Sequence, residues 1–134
     1  GLYMICTLSK HEAEKQGYTD SLMLDHDGNV AEATGANIFF KDKNGEIHTP
    51  IPDSFLDGIT RRTVIGIAKS KNIKVHERKI SPSELSNFVG CFLTGTAAEV
   101  TPVSRIAENQ FKVCDTIINL NESYQALVRK KKAA

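Results

Sequence analysis

A run of five small residues between two apolar segments could hold a ligand in this sequence. The run is Thr94-Gly95-Thr96-Ala97-Ala98, preceded by Val89–Leu93 and followed by the β-prone Glu99–Ile106. Glycine permits backbone angles that other residues avoid. The free N–H groups of such a turn can form an anion-binding nest, and threonine hydroxyls add donors. The run therefore predicts either a phosphate or carboxylate site or a tight connection without a ligand, and taken alone it favours the connection.

A second candidate anion site is the segment Gly58-Ile59-Thr60, which opens a helix directly after a loop. The first N–H groups of a helix have no partner within it, and the helix dipole favours negative charge there. Gly58 would let a ligand approach closely, and Thr60 could add its hydroxyl. A plain helix start explains the same residues, and the lysine and glycine spacing of nucleotide-binding fingerprints is missing.

Two polar side chains in apolar surroundings are further candidates. Glu32 lies in Val30-Ala31-Glu32-Ala33, where it is either an exposed strand residue or a buried acid that needs a cation or a donor. A protonated ring nitrogen of a ligand would serve. Tyr3 could hydrogen-bond a ligand through its phenol or simply pack beside Ile5 and Leu8.

Histidines and cysteines give no further site. The histidines are scattered over turns and polar faces: His11, His26, His48 and His76. None is expected to pair with an acidic residue at ligand spacing, so no metal site is predicted. The cysteines, Cys6, Cys91 and Cys114, form an odd set without metal-type spacing. We expect buried thiols in a reducing compartment, hence a cytoplasmic protein.

The elements that must position these residues are strands joined by hairpins and by helices. Alternating or β-prone runs predict strands at Ser21–Leu24, Val30–Ala33, Asn37–Lys41, Glu46–Thr49, Ile73–Lys79, Val89–Leu93 and Glu99–Ile106. Gly28 and Gly45 suit the hairpin turns. Pro102 interrupts the last of these runs.

Helical periodicity predicts three helices, over Leu2–Gln16 with Gly17 as its cap, over Ile59–Lys69 and over Asp115–Lys130. In the second, Ile59, Thr63, Val64, Ile67 and Ala68 are expected on one face. Ser81, Pro82 and Glu84 have the chemistry of a helix start. Hairpins together with helical crossovers predict a mixed sheet with helices packed on it, in one domain over residues 1–134.

Composition narrows the function classes. The 134 residues are 40% hydrophobic and 25% charged, which is typical of a folded domain, and the net charge is +1. Such a charge gives no support for nucleic acid or an anionic membrane as a partner. No apolar run reaches the length of a membrane span.

Three motifs, in order and together with Tyr3, resemble a known family. They are Glu32–Phe39, Leu56–Arg61 and Thr94–Val103. Their sequence and spacing resemble the larger, C-terminal domain of branched-chain-amino-acid aminotransferases, fold-type IV enzymes that use pyridoxal phosphate (PLP). The resemblance covers essentially the whole chain. It implies a mixed α+β fold, in which helices pack on a mixed sheet or pseudo-barrel. It also implies amino transfer between leucine, isoleucine or valine and 2-oxoglutarate.

The resemblance also implies roles for individual residues. Glu32 matches the carboxylate that keeps the cofactor's pyridine nitrogen protonated, and Tyr3 matches the phenol near the ring oxygen. Gly58, Ile59 and Thr60 match the helix start that binds the cofactor phosphate.

The same resemblance assigns the small-residue run. Thr96 matches a further donor to the phosphate. With Ala97 and Ala98, it also matches the turn that holds the substrate carboxylate.

Two departures from the family pattern stand out. Ala36 replaces a glutamate found in many of these enzymes. The lysine that forms the Schiff base with the cofactor lies upstream of the tyrosine in the family, whereas this sequence starts at Gly1; Lys10 is too far along to replace it. We therefore expect a fragment of a longer, two-domain protein that lacks its small N-terminal domain and is inactive alone. The complete enzyme is expected to be a homodimer or larger homo-oligomer.

Other functions stay open at this point. A D-amino-acid aminotransferase or an aminodeoxychorismate lyase shares the fold and the cofactor, although the run from Gly95 to Glu99 is more similar to the branched-chain type. A truncated, non-catalytic product that binds a partner is the alternative from another class.

Overall fold

A computed structural model describes residues 3–8, 19–33, 36–51, 58–95 and 99–133. The strands are β1 (Tyr3–Leu8), β2 (Thr19–Leu24), β3 (Val30–Ala33), β4 (Asn37–Asp42), β5 (Ile47–Thr49), β6 (Val75–Glu77), β7 (Phe88–Gly95), β8 (Glu99–Ile106) and β9 (Asn109–Gln110). The helices are α1 (Ile59–Ser70), α2 (Asp115–Ala133) and a short 3₁₀ helix, Pro82–Asn87. In these residues no helix is long and apolar enough to cross a membrane.

The strands form one curled sheet in the order β3-β2-β1-β8-β7-β4-β5-β6, with β9 paired to β8. Neighbouring strands are antiparallel except β5 and β6, so the sheet is mixed, as predicted. β8 pairs with β1 along one edge and with β7 along the other, and so joins the two halves. Pro102 lies past the last residue pair of β1 and β8, where a missing N–H disturbs the ladder least.

The predicted hairpins are confirmed. Gly28 and Gly45 have φ of +83°, a conformation that glycine adopts without steric cost. In both turns the preceding aspartate, Asp25 or Asp42, accepts backbone N–H bonds from residues two and four positions on. The Ser81 capping box is also present, but it starts a 3₁₀ helix.

The predicted helix over Leu2–Gln16 is wrong for Tyr3–Leu8, which form β1. Ile5 and Leu8 fit a helical spacing, but the burial follows a period of two. Cys6 and Leu8 are buried, Met4 packs against the same cluster, and Ile5 is 57% exposed. Pairing with the edge of β8 therefore decides the conformation of this segment, because a helical pattern of only a few residues is a weak determinant. Residues 9–18 lie outside the described part.

Two apolar cores lie on the two faces of the sheet. Successive residues of β4 alternate between them, since Ile38 and Phe40 join one core and Phe39 joins the other. The second core is covered by α1 and α2, and in it Phe39 stacks on Phe92 with ring centroids 4.9 Å apart. This alternation is the expected consequence of a sheet buried on both faces.

The buried face of α1 differs from the predicted one. Ile59 is 76% exposed, whereas Arg61, Val64, Ile65 and Ala68 are buried. Arg61 is tolerated in the interior because its Nη2 donates to the Pro50 carbonyl at 3.0 Å and to Glu77 Oε1 at 2.8 Å. Val64 and Ala68 belong to both faces, and the buried face is rotated from the predicted one by about 100°, the angle between successive residues. In this orientation α1 packs against α2 and the sheet.

Cys6 and Cys91 are buried and reduced, as predicted, and Cys114 is half-buried. Burial raises the pKa of the Cys6 thiol to about 12, and burial also raises the pKa of the Cys91 thiol. Both thiols are therefore inert in the folded protein.

Candidate functional site

The carboxylate of Glu32 is the most unusual acidic group near the predicted site. It is half-buried in β3, and burial raises its pKa above the usual value. Within the described ranges it has no hydrogen-bond or ion-pair partner. A carboxylate in such surroundings is stabilised by a cation or a strong donor supplied from outside.

Tyr3 and Glu32 lie in the same cross-strand row of the sheet, two strands apart, with Met23 of β2 between them. In the antiparallel register Tyr3 lies opposite Met23 on one side, and Glu32 lies opposite Met23 on the other. Residues directly opposite in such ladders have their Cβ atoms about 4.5–5.5 Å apart. The sequence named Tyr3 and Glu32 but missed Met23, because nothing in the sequence gives the register between these strands.

A second part of the site lies where β4, β7 and α1 meet. Asn37 pairs with Thr94 across β4 and β7. A Cβ built on Gly58 would lie 2.8 Å from Asn37 Oδ1, closer than real Cβ contacts. Gly58 therefore lets the start of α1 lie against the Asn37 side chain, whose amide would have to turn aside for any larger residue.

Thr94 carries a buried hydroxyl that has no partner in the described part of the chain. The residue is fully buried, and Thr94 Oγ1 has no hydrogen-bond partner among the residues that the structure describes. Leaving a buried hydroxyl unpaired costs about 1–3 kcal/mol, so this group calls for a ligand or another explanation. The sequence named Thr94 as a possible donor but did not reveal its burial.

The start of α1 retains the features of an anion site. Gly58 is its N-cap and makes no side-chain capping bond, and the first turn contains no acidic residue. Ile59 is exposed and Thr60 is half-buried. The first amides of a twelve-residue helix thus meet no competing negative charge from its own first turn.

The bridge between Ala33 and Ala36 links the two parts of the site. These residues exchange both backbone hydrogen bonds, at 3.0 and 3.1 Å. This bridge therefore brings the end of β3, with Glu32, close to the start of β4, with Asn37, although the two strands are not adjacent in the sheet order. Thr96, Ala97 and Ala98 lie outside the described residues, but the strands that flank them, β7 and β8, pair up to Gly95 and Glu99, close to Thr94. β7 and β8 are therefore adjacent antiparallel strands.

The residues present fit a ligand with an anionic group at one end and a protonated ring nitrogen at the other. The orphaned hydroxyl of Thr94 and the glycine cradle at Gly58 suit the anion. The unpartnered carboxylate of Glu32 suits the nitrogen. PLP has both groups.

The expectation that no histidine pairs with an acid is wrong. His48 Nε2 lies 2.7 Å from Asp42 Oδ2, and His76 Nε2 lies 2.7 Å from Glu46 Oε1. The acids are six and thirty residues away along the chain, so strand pairing, and not local spacing, forms these contacts.

The sequence is similar to those of known proteins. The family model described as amino-transferase class IV matches residues 1–106. A "Probable branched-chain-amino-acid aminotransferase" of Rickettsia bellii (strain RML369-C) is 41% identical over 134 residues, covering 95% of this chain and 45% of that protein. The chain thus spans less than half the length of this curated relative.

Solved structures are similar as well. A branched-chain aminotransferase from the archaeon Thermoproteus uzoniensis with norvaline has a TM-score of 0.77 and 36% identity, covering 81% of this chain and 37% of that one. A T.th. branched-chain amino acid aminotransferase complexed with N-(5'-phosphopyridoxyl)-L-glutamate has a TM-score of 0.74 and 38% identity, covering 79% and 36%. The predicted mixed α+β fold is thereby confirmed.

Proposed function

We propose that the complete protein is a PLP-dependent branched-chain-amino-acid aminotransferase. This chain belongs to the class IV aminotransferase family, and the proposal proceeds from that membership. The complete enzyme would move the amino group between L-leucine, L-isoleucine or L-valine and 2-oxoglutarate. The names of the relative and of the similar structures support this substrate class, as do norvaline and a phosphopyridoxyl derivative of L-glutamate in two of those structures.

The single observation that carries the proposal is the half-buried carboxylate of Glu32, which has no partner among the residues described by the structure. When bound, PLP supplies an electron sink for the α-carbon of the amino acid. Glu32 would accept a hydrogen bond from the protonated ring nitrogen and hold the proton there. Its raised pKa in the free protein reflects burial, and a cationic nitrogen beside it would favour the ionised form.

The cofactor phosphate would bind at the start of α1. Gly58 lets it approach the helix, and the amides of Ile59 and Thr60 point toward the N-terminal end, where negative charge is favoured. The buried hydroxyl of Thr94 and the predicted donor Thr96 would add hydrogen bonds. Tyr3 would lie near the ring oxygen, as the family pattern implies.

The substrate would be held by its carboxylate and its apolar side chain. We assign the carboxylate to the turn Thr96-Ala97-Ala98, whose small residues let backbone N–H groups reach an anion. The base that moves the α-proton is assigned to a lysine upstream of Tyr3 in the complete protein. Residues 1–134 would then form the C-terminal domain beside a small N-terminal domain.

The assembly and location are part of the same proposal. The complete enzyme would be a homodimer or larger homo-oligomer in the cytoplasm. Light scattering across a range of concentrations tests the first point, and cell fractionation tests the second.

A donor comparison tests the activity. The complete protein, loaded with PLP, is given L-leucine or D-alanine with 2-oxoglutarate, and glutamate formation is measured together with its configuration. L-Leucine is expected to be the donor and L-glutamate the product. A preference for D-alanine would assign the protein to the D-amino-acid type, and pyruvate release from aminodeoxychorismate would assign it to the lyase type.

A further inference from the structure

A cluster of histidines and acids lies at the far end of β4 from the candidate site. β4 runs from Asn37 to Asp42, so the two ends are about 16 Å apart at about 3.3 Å per residue. At the Asp42 end, one ligand atom each from Glu46, His48 and His76 lies within 4.8 Å of the other two. Neither the candidate PLP site nor the proposed reaction uses these residues.

Strand pairing brings the two histidines together. His48 and His76 are register partners in the parallel pair β5–β6, and their rings stack with centroids 4.7 Å apart. His76 Nε2 lies 2.7 Å from Glu46 Oε1, with both side chains about one-third exposed. The imidazole and the carboxylate therefore converge at a position that ions can reach from solvent.

The hydrogen bonds of His48 fix its tautomer. Arg78 Nε donates to His48 Nδ1 at 3.2 Å, so Nδ1 carries a lone pair and Nε2 carries the proton. Nε2–H then donates to Asp42 Oδ2 at 2.7 Å. A metal-binding histidine typically donates its second nitrogen to a carboxylate in this way, and Nδ1 of His48 could coordinate an ion in place of its hydrogen bond from Arg78.

The charge of the cluster also favours a cation. With neutral histidines, the side chains joined here are three carboxylates, Asp42, Glu46 and Glu84, and one guanidinium, Arg78. Their sum is two negative charges, which a divalent ion would neutralise.

We propose that Glu46, His48 and His76 bind a divalent transition-metal ion, with Zn²⁺ as the first choice and Asp42 orienting His48. Two imidazoles and a carboxylate favour Zn²⁺, Co²⁺ or Ni²⁺ over Mg²⁺ or Ca²⁺, which prefer oxygen ligands. Water would complete the coordination. This site is independent of the proposed amino transfer.

Arg78 is the group that a metal must displace. Its Nη2 donates to Glu84 at 2.7 Å and its Nη1 to the Lys79 carbonyl at 2.9 Å. These bonds hold the guanidinium after the longer bond to His48 is lost. The ion therefore competes with the hydrogen bond from Arg78 to His48 and is repelled by the guanidinium charge, so removal of Arg78 is expected to strengthen metal binding.

Titration of the metal-free complete protein, without PLP, with Zn²⁺ tests the proposal by calorimetry. One equivalent is expected to bind, and affinity should fall in acid because the ligands must be deprotonated. His76→Gln and Glu46→Gln should weaken binding at least about tenfold, and Asp42→Asn about 10- to 100-fold. Arg78→Gln should bind more tightly, which a merely structural role for this cluster would not produce.

His26→Gln is the matched control, since His26 is exposed and pairs only loosely with Asp27 at 3.8 Å. It should bind as the parent does. Co²⁺ in place of Zn²⁺ distinguishes the ligands, because cysteine ligation gives a sulfur-to-metal charge-transfer band and histidine ligation does not. Absence of binding, equal binding by His76→Gln and Glu46→Gln, or a sulfur band would overturn the proposal.

Discussion

Met23 lies directly opposite Glu32 in the ladder between β2 and β3. Met23 is 39% exposed, and it lies opposite Tyr3 in the ladder to β1. Side chains opposite each other share a face of the sheet, so an apolar thioether borders the carboxylate proposed to hold the ring nitrogen. The carboxylate is therefore left without a competing cation from its cross-strand neighbour.

This arrangement predicts that a cation at position 23 would compete with the cofactor. In the complete protein, Met23→Lys should pair with Glu32 and weaken PLP binding by up to about fivefold, the upper end for a cross-strand charge pair. Absorbance titration of the apoprotein measures the affinity. Met23→Leu keeps the site apolar and should bind normally; equal affinity in the lysine variant would show that Met23 does not border the cofactor.

Glu32 itself should matter for catalysis more than for binding. Glu32→Ala in the complete protein is expected to lose most transamination activity and still bind PLP, because the phosphate contacts at the start of α1 remain. Steady-state turnover and cofactor absorbance separate the two effects. Unchanged turnover would remove Glu32 from its proposed role.

The raised pKa of Glu32 also has a consequence for the protein without PLP. Because its pKa is higher in the folded than in the unfolded state, its contribution to stability is present below the unfolded pKa and is lost as pH rises through the folded pKa. Glu32→Gln should therefore make the cofactor-free protein more stable at pH 7 than the parent, and this difference should shrink in acid. Urea unfolding at pH 7 and pH 4 compares them.

A side chain at Gly58 should disturb its neighbour Asn37. A Cβ there would lie 2.8 Å from Asn37 Oδ1, so Gly58→Ala must turn the Asn37 amide aside, at a cost of about 1 kcal/mol in the free energy of unfolding, the lower end for overpacking. Gly66→Ala is the control in the same helix, since a Cβ at Gly66 meets nothing within 4 Å. It should stabilise by about 0.5–1 kcal/mol. Denaturant unfolding gives both values, and similar effects at the two positions would contradict the assigned packing.

The sequence was a good guide where local chemistry decides the structure. Gly28 and Gly45 fixed two hairpins, and the capping box at Ser81 formed as predicted. Prediction from the sequence failed where pairing between distant residues decides the local structure. β1 is a strand because β2 and β8 cover its two edges, and the pattern of Ile5 and Leu8 does not contain that information.

Some features of the candidate site are likewise visible in the sequence, and others depend on strand pairing. Glu32 and Gly58 stand out in the sequence because a charge or a missing side chain is unusual at their positions. The roles of Met23 and Asn37, and the burial of Thr94, depend on the registers of β2 with β3 and of β4 with β7. No local pattern gives a register between strands whose partners are set by the whole sheet.

Thr94 allows stability and binding to be separated. Because Thr94 Oγ1 is buried without a partner in the described residues, Thr94→Val replaces it with a group of similar shape and breaks no hydrogen bond. The free energy of unfolding of the cofactor-free protein should stay the same or rise.

If the hydroxyl donates to the cofactor phosphate, PLP affinity of the Thr94→Val variant should fall by about 10- to 100-fold, the range for a hydrogen bond of about 1.5–3 kcal/mol to a charged group. Thr94→Ser restores the hydroxyl and should recover most of that affinity at lower stability, since it loses a buried methyl group. Equal PLP affinity in the valine variant would show that the hydroxyl does not face the cofactor, and a large loss of stability would show that it has a partner within the protein.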